Sequence, residues 1–250
     1  MDTNYNKLLN NLDELGLSAF RSNLSDYLQL ISQDKKDIVS ALYELSELEK
    51  GFRLERAIKA CVNTAGFPFQ KTLNDYDFSF QPSVSRKQME DFLTLRFIEE
   101  NQNILFVGSP GVGKTHLAAA IGIEAASHRY SVHFVSCQHL MEDLRKAFGE
   151  NRLSRRLKLY NRYRLLIIDE IGYLNLTEQD ANLFFQLISL RYEKKSTIIT
   201  TNRSLNKWGE LFGSSTTANA ILDRLLHHSS IVNIIGPSYR TKDIVDSLEK

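Results

Sequence analysis

Cysteine is nearly absent, occurring only at Cys61 and Cys137. Two distant thiols supply neither a disulfide framework nor a metal-binding quartet. Long apolar runs are missing too, and no stretch reaches the length of a membrane span. The opening residues, Met1-Asp-Thr-Asn-Tyr-Asn-Lys7, are polar and lack the apolar centre of a signal peptide. These absences lead us to expect a cytoplasmic protein with no membrane contact. An excess of either charge is lacking as well: 31 Lys and Arg face 30 Asp and Glu in 250 residues, so overall charge selects no partner. Proline occurs four times and never before Pro68. That leaves residues 1–66 free to form helix.

Apolar stripes at helical spacing fill that region: Leu8, Leu9, Leu12 and Leu15 before Gly16, then Leu24, Leu28 and Ile31, then Ile38, Ala41, Leu42, Leu45 and Leu48. No catalytic spacing appears there, so 1–66 reads as a helical domain for self-association or partner contact. Residues 67–103 read as a linker and leading helix. The linker is aromatic-rich and bracketed by Pro68 and Pro82; its Tyr76 and Phe78 read either as adenine contacts or as plain packing. Helix is expected from Ser85 to Glu100.

From 104 to 250 the pattern changes. Apolar runs recur at Ile104–Val107, Val132–Val135, Leu165–Ile168, Thr197–Thr201 and Ile231–Ile235, with helical stretches between them. Such alternation predicts an α/β fold with a parallel sheet covered on both faces. Ligands bind beyond the carboxyl ends of such strands. The first run leads into Gly108, Ser109, Pro110, Gly111, Val112, Gly113, Lys114 and Thr115, an unbroken match to the phosphate-binding loop. Its glycines let backbone N–H groups approach a triphosphate, and the next helix adds its positive end. Lys114 is placed for the β- and γ-phosphates and Thr115 for Mg²⁺, with His116 beside them.

The third run ends in Asp169-Glu170. Asp169 is a candidate Mg²⁺ holder and Glu170 a candidate to orient the attacking water. Asn202 ends the fourth run, either touching the γ-phosphate or water or simply forming a turn. Arg224 and Arg240 are each either phosphate contacts or structural, paired to a carboxylate such as Asp223. Between the second and third strands, Arg145, Lys146, Arg152, Arg155, Arg156, Lys158, Arg162 and Arg164 fall in twenty residues with one acid, Glu150. Tyr160 and Tyr163 are interleaved. So one-sided a stretch in a near-neutral chain points to DNA phosphates, through Arg145, Lys146, Arg152, Arg155, Arg156 and Lys158 above all. The histidines lack metal spacing, and the adjacent pair His227-His228 has no nearby cysteine or third histidine. No metal site beyond Mg²⁺ is expected.

Gly108–Thr115 with His116-Leu-Ala, Leu166-Ile-Ile-Asp-Glu-Ile-Gly-Tyr173, Thr200-Thr-Asn-Arg203, Trp208-Gly-Glu, Leu222-Asp-Arg-Leu-Leu-His227 and Ser238-Tyr-Arg240 resemble the IstB ATPases. Those are AAA+ helper proteins of insertion-sequence transposition, related to the helicase loader DnaC and the initiator DnaA. The linker Lys71-Thr-Leu-Asn-Asp-Tyr-Asp-Phe-Ser-Phe80 is similar as well.

The resemblance implies an ATP-hydrolysing homo-oligomer that binds DNA, duplex rather than single-stranded, and assists the transposase of its own element. It matches Asn202 to sensor 1, Arg224 to the arginine finger and Arg240 to sensor 2. It places the basic stretch, near 137–164, in a DNA-contacting insert, and implies no C-terminal helical lid. The polar Ser214-Ser-Thr-Thr217 loop and Pro237 depart from the family pattern. A DnaC-like helicase loader is the rival reading. A metabolic P-loop kinase is disfavoured by the basic insert and missing lid, and an ATP switch without turnover by Glu170.

Overall fold

The computed structural model describes residues 4–174 and 176–241. The chain folds as two compact units that divide between Ala60 and Cys61. In the first unit, helices α1 (Asn4–Glu14), α2 (Ser18–Ser32) and α3 (Ile38–Thr64, whose last residues belong to the second unit) follow the expected stripes. Leu12, Leu24 and Leu45 form the small core, with Leu9, Leu17, Phe20 and Tyr27 against it. Much of the α3 stripe is instead exposed, Ile38 at 61% and Leu42 at 51%.

Helix α2 has no cap from its own preceding residue, Leu17. Glu49 of α3, 4% exposed, supplies one by accepting from the backbone N–H groups of Ala19 (2.8 Å) and Phe20 (3.1 Å). Burial pushes the Glu49 carboxyl up, but the Phe20 amide, the Arg53 guanidinium and the Ala19 amide outweigh it and hold its pKa below the usual range. A depressed carboxyl stabilises the fold above its unfolded pKa and loses that contribution as pH falls through the folded one. Glu49→Ala is expected to destabilise the first unit by about 1–2 kcal/mol at neutral pH. Amide exchange at Ala19 and Phe20 should accelerate, and the difference should shrink in acid. Unchanged exchange at both amides would refute the capping role.

The second unit opens with a 3-10 turn at Leu73–Asp75 and helices α4 (Arg86–Leu93) and α5 (Arg96–Glu99). The single helix expected over 85–100 is broken at Leu95, which takes a left-handed φ of 62°. Then β1 (Asn103–Gly108), α6 (Lys114–Ser127), β2 (Val132–Ser136), α7 (Cys137–Gly149), α8 (Leu153–Arg162), β3 (Leu165–Ile171), α9 (Glu178–Arg191), β4 (Ser196–Thr201), α10 (Trp208–Leu211), α11 (Ser215–Leu226) and β5 (Ser229–Ile234) alternate as predicted. The Ser214-Ser-Thr-Thr217 stretch is the start of α11, where the Ser214 hydroxyl accepts from the Thr217 N–H at 3.3 Å. That explains its polarity. Among the described residues no helix is long and apolar enough to cross a membrane.

The five strands lie parallel in the order β2-β3-β4-β1-β5. Successive residues of a strand face opposite sides, and the core divides accordingly. Ile104, Phe106, Leu165, Ile167 and Ile198 join Leu117 and Ile121 of α6 with Tyr76, Val84 and Met89 on one face. Leu105, Leu166, Ile168 and Ile199 join Leu140, Leu144, Phe184, Trp208 and Ile221 on the other. Near-continuous apolar strands are what a doubly covered sheet requires.

Arg191, 1% exposed, crosses the base of the second layer and donates to the carbonyls of Tyr160 (3.0 Å), Tyr163 (3.0 Å) and Ser196 (2.5 Å) and to the Thr197 hydroxyl (3.0 Å). It ties the end of α8 to the start of β4. It pairs with no carboxylate among the described residues.

Candidate nucleotide site and its surroundings

The loop between β1 and α6 turns on Gly111 (φ 82°) and Gly113 (φ 95°), a region side chains other than glycine rarely enter. Space is short as well. A Cβ on Gly113 would meet the Tyr76 ring at 2.5 Å, and one on Gly111 would collide with Ser238. The Lys114 ammonium, 8% exposed, donates at 2.7 Å to each of the Gly108 and Ser109 carbonyls. Burial pushes its pKa down, Asp169 opposes that, and Arg240 adds to it. Among the described residues its hydrogen-bond acceptors are both neutral carbonyls.

The Thr115 hydroxyl lies 3.1 Å from both carboxylate oxygens of Asp169. Asp169 is 5% exposed, and burial raises its pKa against the hydrogen bonds from Thr200 and Thr115. Thr200 was not singled out by the sequence reading, yet it joins the two halves of the acidic pair. Its hydroxyl donates to Asp169 at 2.5 Å and accepts from the Glu170 N–H at 2.9 Å. Thr200 is fully buried, and its residue type alone did not distinguish it from any other β-branched strand residue.

In a regular strand Asp169 and Glu170 would face opposite sides of the sheet. Here the β3–β4 register shifts between Ile168 and Ile171, and Glu170 takes a left-handed φ of 64°. This irregularity lets Asp169 reach Thr115 while exposed Glu170 lines the same cavity.

That cavity, about 270 Å³, is walled by the loop, Glu170, Thr200, Tyr76 and Arg240 among others. Tyr76 donates to the Val112 carbonyl (3.1 Å) and stands edge-on to the His116 ring (5.4 Å between centroids). His116 Nε2 lies 2.9 Å from the Thr72 carbonyl. Phe78 packs behind Tyr76, at 4.9 Å between centroids, and does not line the cavity. The Tyr239 N–H donates to the Gly111 carbonyl at 3.0 Å, and Gln81 Nε2 to the Pro237 carbonyl at 2.7 Å. These bonds set Arg240 at the cavity.

Asn202 and Arg224 stand elsewhere. The buried Asn202 Oδ1 faces Gly172, where a Cβ would strike it, and has no hydrogen-bond partner among the described residues. Arg224 lies over the Phe185 ring, 4.6 Å from its centroid, and donates to the Ala220 carbonyl at 3.0 Å. It makes no ion pair with Asp223 among the described residues, contrary to the structural option read from the sequence.

The basic stretch folds as the α7–α8 hairpin. Three of its six foremost cations are paired within the chain. Arg145 makes a bidentate bridge to buried Asp180 (2.6 and 2.7 Å), Arg156 bridges to Asp143, and Arg152 to Glu150. Asp180 also caps α9 in a capping box with Thr177, so Arg145 braces α7 against α9. Tyr160 is buried, its hydroxyl donating to Asp143 at 2.7 Å, and Tyr163 stacks on His133 at 4.8 Å. Lys146, Arg155 and Lys158 have no ion pair among the described residues, and with Arg152, Arg156 and Arg162 they border a cavity of about 570 Å³.

Comparison with known proteins agrees with this arrangement. The chain is 47% identical over 243 residues to a protein of Bacillus thuringiensis subsp. berliner named as an ATP-binding protein of insertion sequence IS232, covering 97% of each chain. Among solved structures it resembles the DnaC helicase loader, with a TM-score of 0.53, 26% identity, and 70% of this chain and 98% of that one covered. It shares its fold with the replication initiator DnaA bound to AMPPCP and single-stranded DNA, at a TM-score of 0.55, 23% identity, and 74% and 56% coverage. The likeness to DnaC places the chain in the AAA+ class. The family described as IstB-like ATP binding protein matches residues 10–247, and with the phosphate loop, the Asp169-Glu170 strand tip and the parallel sheet all in place the chain belongs to that insertion-sequence family.

Proposed function

We propose that this protein hydrolyses ATP with Mg²⁺, binds DNA, and assists the transposase of its insertion sequence as an oligomer assembled on target DNA. The observation that carries the ATPase reading is the Thr115–Asp169–Thr200–Glu170 chain of hydrogen bonds at the foot of the phosphate loop. A hydroxyl and a carboxylate 3.1 Å apart form the oxygen donor set a hard cation prefers. Thr115 and Asp169 would hold Mg²⁺, which when bound supplies charge neutralisation across the β- and γ-phosphates. The loop amides and the positive end of α6 cradle the phosphates. Lys114 exchanges two neutral carbonyls for an anion, a stronger acceptor. Glu170, exposed at the cavity and fixed through its backbone by Thr200, orients the water.

DNA contact is assigned to the α7–α8 hairpin, chiefly to Lys146, Arg155 and Lys158, which no carboxylate among the described residues pairs. Replacing these three with Ala should weaken binding to all sequences alike and lower the slope of log affinity against log salt by about two to three units. Arg145→Ala should instead reduce stability and leave that slope nearly unchanged, because its charge is spent on Asp180. An unaltered slope in the triple variant would remove the hairpin from the DNA interface.

The IS232 relative and the family match favour a transposase as partner, whereas the likeness to the DnaC helicase loader supports a rival in which the partner is a replicative helicase. ATP-dependent co-purification with the element's own transposase tests the choice. Capture of a replicative helicase in its place would overturn our reading.

A further inference from the structure

The edge of the sheet where β1, β4 and β5 begin lies opposite the nucleotide cavity and carries its own cluster of ligating side chains. Glu193 follows α9 and holds a left-handed φ of 57°. His227 and His228 follow α11. The sequence offered the histidine pair without a third ligand, and the fold supplies one from a separate element. Glu193 Oε1 lies 3.3 Å from His227 Nδ1 and 3.6 Å from His228 Nε2, and one donor atom from each of the three residues falls within 4.8 Å of the others. Bonds of about 2.0–2.1 Å to a tetrahedral ion imply donor–donor edges of roughly 3.3–3.4 Å. Two of the three edges already approach that length.

The backbones that carry these ligands are tied down. Buried Asn103 donates its N–H to the His228 carbonyl (2.8 Å) and its side-chain amide to the Leu225 carbonyl (3.1 Å), and accepts from the Thr197 N–H (2.9 Å). Buried Arg191 fixes the end of α9 just before Glu193. The Tyr192 hydroxyl sits 2.7 Å from His227 Nδ1.

We propose that Glu193, His227 and His228 form a binding site for a divalent transition-metal ion of the zinc class, with water in the fourth position. Two imidazoles and one carboxylate suit zinc, cobalt or nickel rather than magnesium. The Tyr192 hydroxyl gives up Nδ1 to the ion. Such an ion clips the end of α9 to the end of α11, three residues beyond Arg224. All three side chains are about half exposed, so the site is open to ions in solution.

The test is a Co²⁺ titration of the untagged full-length protein, followed by visible absorption. An intense tetrahedral band is expected, displaced by Zn²⁺, absent in His228→Ala and at least tenfold weaker in affinity in Glu193→Gln. Oxygen-ligated, six-coordinate Co²⁺ at Thr115 and Asp169 absorbs too weakly to imitate it. Zn²⁺ at a hundredfold excess over its Kd should also raise the Tm of the wild type by roughly 5–10 °C. That second readout does not depend on any variant folding. No intense band, a band persisting at full affinity in either variant, or an unmoved wild-type Tm would overturn the site.

Discussion

Glu170→Gln is expected to bind ATP nearly as the wild type does while its turnover falls by roughly 10²–10⁴. The amide keeps the length and shape of the side chain and removes only its ability to take a proton. The Glu170 backbone is held by Thr200 independently of the side chain, so the strand tip should stay in place. Lys114→Ala should differ in kind: it deletes the ammonium at the loop and should weaken nucleotide binding together with turnover. Nucleotide-binding titrations beside steady-state phosphate release separate the two. Near-normal turnover in Glu170→Gln would take Glu170 out of the water-orienting role. Thr200→Val adds a sharper check. It breaks both bonds that couple Asp169 to Glu170, and should depress turnover while both carboxylates remain in the chain.

Arg224→Ala should also bind ATP and hydrolyse it slowly, by about 10³–10⁵ if the guanidinium acts on the transferring phosphate. Within its own chain Arg224 does not line the nucleotide cavity but lies against Phe185. A catalytic role therefore requires the cavity of a neighbouring subunit. Lys114→Ala retains an intact Arg224, and Arg224→Ala retains an intact phosphate loop. Mixing the two inactive proteins should restore measurable hydrolysis, more so when DNA promotes assembly. Demonstrated subunit exchange without recovered activity would sink the shared site and leave Arg224 as a side chain packed on Phe185.

The phosphate loop and the strand-tip acids could be read directly from the chain because backbone geometry dictates their residue types. Glycine is the residue that serves at Gly111 and Gly113, and a strand buried on both faces is mostly apolar or β-branched until it ends. What escaped the sequence was pairing across distance. The window from 145 to 164 contains one acid, yet Asp143 lies just outside it and Asp180 is brought up by α9, so half of the foremost cations there are neutralised. Thr200 looked like any β-branched strand residue; its two hydrogen bonds depend on the register between β3 and β4. Glu170 reaches the cavity through a local irregularity in that register, which alternation alone would deny. Arg191 had no sequence signal at all, since its acceptors are backbone carbonyls available to any residue type.

The strand order has a consequence for synthesis. β1 carries the phosphate loop, and its two neighbours in the sheet are β4 and β5, with Ile104 beside Ile198 and Asn103 beside Ser229. Both partners emerge long after β1 itself, and the Gly111 carbonyl finds its donor only at Tyr239. At a translation rate of about 5–20 residues per second, the apolar run Ile104–Val107 waits roughly 6–25 s for its second flank. Until then at least one edge of this fully apolar strand stays unpaired. The loop is thus the earliest part of the site to be made and among the last to be closed, and nucleotide can reward only the finished chain.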